Sequence, residues 1–199
     1  MKVKIKTCGL KRPQDIDYAN DLKPDLIGFV FAESKRQVSL EQAKTLRKLL
    51  DKNIEVVGVF TDEKIENIKQ IFEEGIIDIA QLHGAENIDY ILQLKKIPGL
   101  KIIKAIKVSD ENLKDVEQFR KVVDFILFDS GAGGGKVFSW EKIKNYTFDY
   151  FLAGGLDLSN VSLAVDFLQP FGLDVSSGIE TDGVKDYGKM KEFIKLARM

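Results

Sequence analysis

Short aliphatic or β-branched runs alternate along the chain with longer stretches whose apolar residues recur at helical spacing behind charged faces. Eight runs stand out: VKIKT, DLIGFVF, IEVVGVF, IDIAQL, KIIKAIKV, VDFILFD, YFLAG and LDVSS. Between them lie SLEQAKTLRKLLDK, DEKIENIKQIFEEG, ENIDYILQLKKI, NVSLAVDFLQ and GKMKEFIKLAR, each with the spacing of an amphipathic helix. Ser39, Asp62 and Ser159 stand where N-caps belong, and Pro13 suits the first turn of the first helix. The fifth helical segment, DENLKDVEQFRKV, has sparse apolar positions and the sixth, SWEKIKNY, is short, so these two are expected to be the least regular.

Strands that are apolar on both faces and separated by helices indicate a parallel sheet covered by helices. Eight such units, about two dozen residues each, predict an α/β fold, a single compact (β/α)8 TIM barrel over residues 1–199, smaller than the ~250 residues typical of the architecture. A doubly wound open sheet is the rival, yet no G-x-G-x-x-G follows the first strand, where the chain reads CGLKRP. No low-complexity tract or Pro/Ser/Gly linker divides the chain, and 44% hydrophobic residues in 199 suffice for one large core.

Composition narrows the chemistry. One cysteine, Cys8, allows neither an intramolecular disulfide nor a cysteine zinc cluster, and one histidine, His83, rules out a multi-histidine metal centre. Thirty basic against 31 acidic residues leave a formal charge of -1, so no net basic field draws the chain to nucleic acid or membranes, and a small-molecule partner is expected. The amino terminus, MKVKIKTCGLKRP, lacks the unbroken apolar stretch of a secretion signal, and no segment approaches the roughly 20 apolar residues that span a bilayer. A soluble, cytoplasmic protein is expected. Its state as a monomer or a homodimer stays open at this level.

In a barrel of this kind chemistry sits at the carboxyl ends of the strands. Cys8 and Gly9 follow the first run; FAESKRQVS, with Lys35 and Arg36, the second; QLHG, with Gln81 and His83, the fourth. Asp129 and then SGAGGGKVFSW follow the sixth, AGGL the seventh and SSGIETDG the eighth. All the polar and glycine-rich oddities therefore fall on one rim. Gly154, Gly155 and Gly178 either make tight turns or let backbone N–H groups approach a phosphate, and their place after strands 7 and 8 favours phosphate.

Asp129 ends a strongly apolar strand, where desolvation can hold a carboxyl group protonated as a general acid. Strands 1 and 6 lie three apart around a ring of eight, which places Cys8 across the mouth from Asp129. A thiol near its ordinary pKa of about 8.5 is mostly protonated at neutral pH, and Lys6, Lys11, Arg12 and Arg36 are the candidates to favour its thiolate. A thiolate paired with an acid suits isomerisation better than acyl transfer, so Cys8 is read as a base. Arg36 is either a solvated loop charge or a bidentate grip for a carboxylate. His83 is read as a hydrogen-bonded lining residue rather than a catalyst.

Taken together, KTCG, SKRQVS, QLHG, LFDSGAGGGKVFSW, LAGGL and LDVSSGIE resemble the phosphoribosylanthranilate isomerase family of tryptophan biosynthesis over the whole length of the chain. The resemblance implies an Amadori rearrangement of N-(5-phosphoribosyl)anthranilate to 1-(carboxyphenylamino)-1-deoxyribulose 5-phosphate, with no metal or organic cofactor. It further implies that Asp129 protonates the furanose ring oxygen, that Cys8 removes the proton on carbon 2, and that Arg36 partners the anthranilate carboxylate. Gly154, Gly155, Ser177 and Gly178 match its phosphate loops; His83 and Asp174 fall on the substrate side of the mouth, and Gly133, Gly134 and Gly135 line loop 6.

Thr7 stands where an aliphatic residue is common in the family, Gly134 lacks the hydroxyl of a GGTG loop, and Ser139 replaces an acid. The related isomerase of histidine biosynthesis resembles a barrel with an aspartate in place of Cys8, which argues against it. Ribulose-phosphate epimerase needs metal-ligating histidines this chain lacks. A barrel that binds a phosphosugar without turning it over is the non-enzyme alternative.

Overall fold

The computed structural model describes residues 2–130 and 139–199. Eight parallel strands close in sequence order: β1 (Lys4–Cys8), β2 (Leu26–Val30), β3 (Glu55–Phe60), β4 (Ile79–Leu82), β5 (Lys101–Lys107), β6 (Phe125–Asp129), β7 (Tyr150–Leu152) and β8 (Gly172–Val175), with β8 returning to β1. Helices α1 (Pro13–Leu22), α2 (Leu40–Leu49), α3 (Ile65–Glu73), α4 (Ile88–Leu94), α5 (Val116–Arg120), α6 (Val161–Leu168) and α7 (Tyr187–Ala197) pack outside. The expected (β/α)8 barrel is what forms. Among the described residues no helix is long and apolar enough to cross a membrane.

The helices attach through the stripes that the periodicity marked. α2 buries Ala43 and Leu46, and α3 buries Ile68 and Ile71 against the outer faces of the strands. Each buried Leu or Ile contributes roughly 1.5–3 kcal/mol, enough to hold short helices that would be marginal in isolation. Ser39 caps α2, accepting from the Gln42 N–H at 3.1 Å, and Pro13 opens α1 behind Arg12, whose backbone N–H donates to Asp15 Oδ2 at 3.0 Å. The other two caps fall elsewhere. Asp62 has φ 49° and accepts from Ala85 N, while Lys64 precedes α3. Ser159 turns its hydroxyl to Asp157, and Asn160 precedes α6. In both cases a loop bond engages the polar side chain instead, to the distant Ala85 for Asp62 and to the neighbouring Asp157 for Ser159. The two weak segments are irregular: a 3-10 turn leads into the five-residue α5, and Trp140–Lys142 is a 3-10 turn only.

Inside the barrel, alternate residues of each strand meet. Leu26, Val57, Ile79, Ile103, Leu127 and Phe151 fill the interior, with Ala105 and Ala153 above them. In the same interior Lys6 of β1 donates to both Gln81 of β4 and Asp174 of β8. An unpaired lysine there would be prohibitive. Past β8 a short hairpin, β9 (Glu180–Thr181) and β10 (Val184–Lys185), turns through Asp182 and Gly183, both at positive φ, and sets Lys185 opposite Glu180. The Asp-Gly pair flanked by ET and VK is its signal in the sequence.

Candidate active site

One cavity of about 760 Å3 opens at the carboxyl ends of the strands and is lined by Cys8, Arg36, His83, Asp129, Gly154, Gly155, Asp174 and Ser177, among others. Residues that lie up to 169 positions apart thus meet at one rim. Gly178 is not in the lining; a Cβ there would strike the Leu156 carbonyl oxygen, so its bareness lets loops 7 and 8 pack together. Gly133, Gly134, Gly135 and the Gly134 departure fall outside the described residues.

Cys8 ends β1 beside Gly28 of β2, its register partner, where a Cβ would stand 2.6 Å from Sγ. The missing side chain makes room for the sulfur. Burial pushes the Cys8 thiol up; the charges of Lys6 and Lys185 oppose that, while Asp174 adds to it. Of the four cations proposed from sequence, Lys6 and Arg36 act on Cys8. Lys11 donates instead to the Lys35 carbonyl, and Arg12 pairs with Asp15. Lys185, brought back by the hairpin, takes their place.

Lys6 is fully buried, with Nζ 2.8 Å from Asp174 Oδ2 and 2.8 Å from Gln81 Oε1. Burial would lower its pKa, but the neighbouring Asp174 and Cys8 outweigh this and raise it, so the ammonium persists. Asp174 Oδ1 is buried and finds no hydrogen-bond partner among the described residues. Asp174 is one of the residues that line the cavity. Across the mouth, Asp129 Oδ2 lies 3.1 Å from His83 Nε2, and His83 Nδ1 lies 3.2 Å from Gln81 Nε2.

Arg36 reaches the mouth over Gly9, whose φ of 80° and lack of a Cβ let the arginine stem lie against the backbone. Its Nε and Nη2 donate to Glu180 Oε1 at 2.6 Å and Oε2 at 2.7 Å, and Lys185 Nζ donates to Oε1 at 2.7 Å. Burial alone would raise the Glu180 carboxyl, but the Arg36 hydrogen bond and the Lys185 charge pull it down to about 2. The side edge of the guanidinium is therefore used within the protein. Its end edge, Nη1 with the second Nη2 hydrogen, remains for a planar anion.

After β7, Gly154 and Gly155 both have positive φ, 87° and 69°. Among the described residues their N–H groups find no acceptor. Both glycines line the cavity, and without a Cβ they let backbone donors come close to an anion. Sequence reasoning passed over Glu180, Lys185 and the Lys6–Gln81 bond. The signal for Lys6 was its position two before Cys8, on the same strand face; nothing local marks Glu180 as the partner of a residue 144 positions away.

Residues 5–196 match the family described as N-(5'phosphoribosyl)anthranilate (PRA) isomerase. The N-(5'-phosphoribosyl)anthranilate isomerase of Thermoanaerobacter sp. (strain X514) is 46% identical over 202 residues, covering 98% of each chain. The crystal structure of phosphoribosyl anthranilate isomerase from Thermotoga maritima superposes with a TM-score of 0.89 at 35% identity, covering 98% of both chains. A crystal structure of a phosphoribosyl anthranilate isomerase in complex with reduced 1-(o-carboxyphenylamino)-1-deoxyribulose 5-phosphate superposes at 0.86, with 33% identity and the same coverage. On a fold, a rim and a match that all run the length of the chain, the protein belongs to the N-(5'-phosphoribosyl)anthranilate isomerase family of tryptophan biosynthesis.

Proposed function

We propose that this isomerase runs its Amadori rearrangement between Asp129 as general acid and Cys8 as general base. The observation that carries the reading is the single cavity shared by a buried thiol on β1 and a carboxyl group on β6. Asp129 gives its proton to the furanose ring oxygen as the bond from that oxygen to carbon 1 breaks, leaving a Schiff base with the anilino nitrogen. Cys8 Sγ, as thiolate, then takes the proton on carbon 2, and the electron pair moves to make the enolamine. Loss of the carbon 2 hydroxyl proton and gain of one at carbon 1 complete the ketose, so atoms and charge balance.

The donor pair at Gly154 and Gly155, with Ser177 beside it, holds the sugar phosphate, and Gly178 supports it by letting loop 8 close on loop 7. The end edge of Arg36 takes the anthranilate carboxylate. Asp174 Oδ1 accepts a hydrogen bond from the bound sugar or anilino group, which supplies the partner it lacks among the described residues. The partner is accordingly a small phosphosugar met in the cytoplasm. All the residues named come from one chain, so a monomer and a homodimer would hold the same site.

Cys8→Ala and Asp129→Asn are each expected to lower kcat by ~100-fold or more with little change in substrate binding. Loss of anthranilate fluorescence in steady-state turnover measures it, and near-normal turnover in either variant would overturn the assigned roles.

A further inference from the structure

We propose that Gln81 is a positioning residue that sets which nitrogen of His83 carries the proton presented to Asp129. Lys6 can only donate, so the atom of Gln81 that lies 2.8 Å from Lys6 Nζ is the amide oxygen. The Gln81 nitrogen then faces His83 Nδ1 at 3.2 Å and donates to it. A neutral imidazole that accepts at Nδ1 bears its proton on Nε2, which lies 3.1 Å from Asp129 Oδ2.

Lys6 is held in turn by Asp174 at 2.8 Å, and with Lys6 0% and Gln81 1% exposed, no bulk water competes to reverse the amide. Three interior residues on β1, β4 and β8 thus orient one proton at the tip of β6. The inference rests on the reading of Asp129 as the acid: when Asp129 has given up its proton, the Nε2–H stabilises the carboxylate left behind. The opposite tautomer would confront that carboxylate with a lone pair.

His83 is the one histidine of the chain, so untagged protein labelled with 15N-histidine shows only two ring-nitrogen resonances. At neutral pH, Nδ1 is expected to resonate as an unprotonated nitrogen and Nε2 as N–H. A wild-type spectrum with the proton on Nδ1 overturns the proposal without any variant. Gln81→Glu places a second acceptor against Nδ1. Its spectrum is expected to show Nδ1 protonated, and kcat to fall ~10- to 100-fold with KM little changed. An unprotonated Nδ1 in that variant, or wild-type kcat with Nδ1 protonated, overturns it. Failure of the acid assignment itself is read separately, from Asp129→Asn turnover, which leaves the wild-type tautomer spectrum untouched.

Discussion

A single methyl group placed at Gly28 should disable the thiol without touching it chemically. Gly28 is the register partner of Cys8, and its backbone lies outside the positive-φ region, so alanine is conformationally admissible and the effect is steric. The new Cβ would stand 2.6 Å from Sγ and 3.2 Å from the Cys8 Cβ. Non-bonded heavy atoms settle at about 3.5–4.0 Å, so the sulfur must withdraw by about 1 Å or swing to another rotamer. Overpacking of this kind costs about 1–3 kcal/mol, or roughly 3–10 °C in Tm for a chain of this size. A misplacement of about 1 Å at a reacting atom costs ~100-fold in rate. Gly28→Ala is therefore expected to fold, to melt a few degrees early by circular dichroism, and to lose about two orders of magnitude in kcat. In a Cys8→Ala background the same change should cost less than about threefold more, because the two sites then no longer interact through the sulfur. A folded Gly28→Ala protein with kcat within about threefold of wild type would refute the reasoning.

Glu180→Gln removes the anion that occupies the side edge of Arg36, so KM is expected to rise about tenfold with kcat nearly unchanged; wild-type KM would contradict the orientation argument. The same carboxylate links stability to pH. Its folded-state pKa of about 2 lies below the ordinary 4.5, so its stabilisation is present above pH 4.5 and is lost as pH falls toward 2. Urea denaturation at pH 6 and pH 3 should show this as about 1–2 kcal/mol in the wild type after solvent screening, and Glu180→Gln should lack that component. Burial holds the Cys8 thiol above its ordinary value. A base must be deprotonated to act, so log kcat/KM is expected to climb with pH from neutrality into the alkaline range; a profile flat above pH 7 would argue against Cys8 as the base. Gly154→Ala would set a Cβ 2.7 Å from Asp129 Oδ1 at a φ of 87°, and both weaker binding and slower turnover are expected. An effect on KM alone would separate the phosphate loop from the acid.

The alternation of apolar runs and amphipathic stretches was enough for the barrel, because burial of two-faced strands beneath helices leaves few other arrangements of eight such units. Cys8, Arg36, His83 and Asp129 were legible for a related reason: each follows a strand, and strand ends of a closed parallel barrel share one rim. Caps were less legible. Asp62 and Ser159 have the chemistry of N-caps, but loop groups engage them instead. The charges around the thiol were misjudged from chain proximity, since Lys11 and Arg12 point to other partners while Lys185 returns from 177 positions away.

How the site is wired could not be read from the chain. The Arg36–Glu180 pair and the Lys6–Gln81–His83–Asp129 connection join strands distant in sequence. Hydrogen bonds depend on distances of tenths of an ångström between side chains, whereas periodicity specifies only which face a residue occupies. Burial adds the rest. The same thiol, ammonium and carboxylate titrate differently once water is removed, and how much water is removed is a property of the closed barrel as a whole.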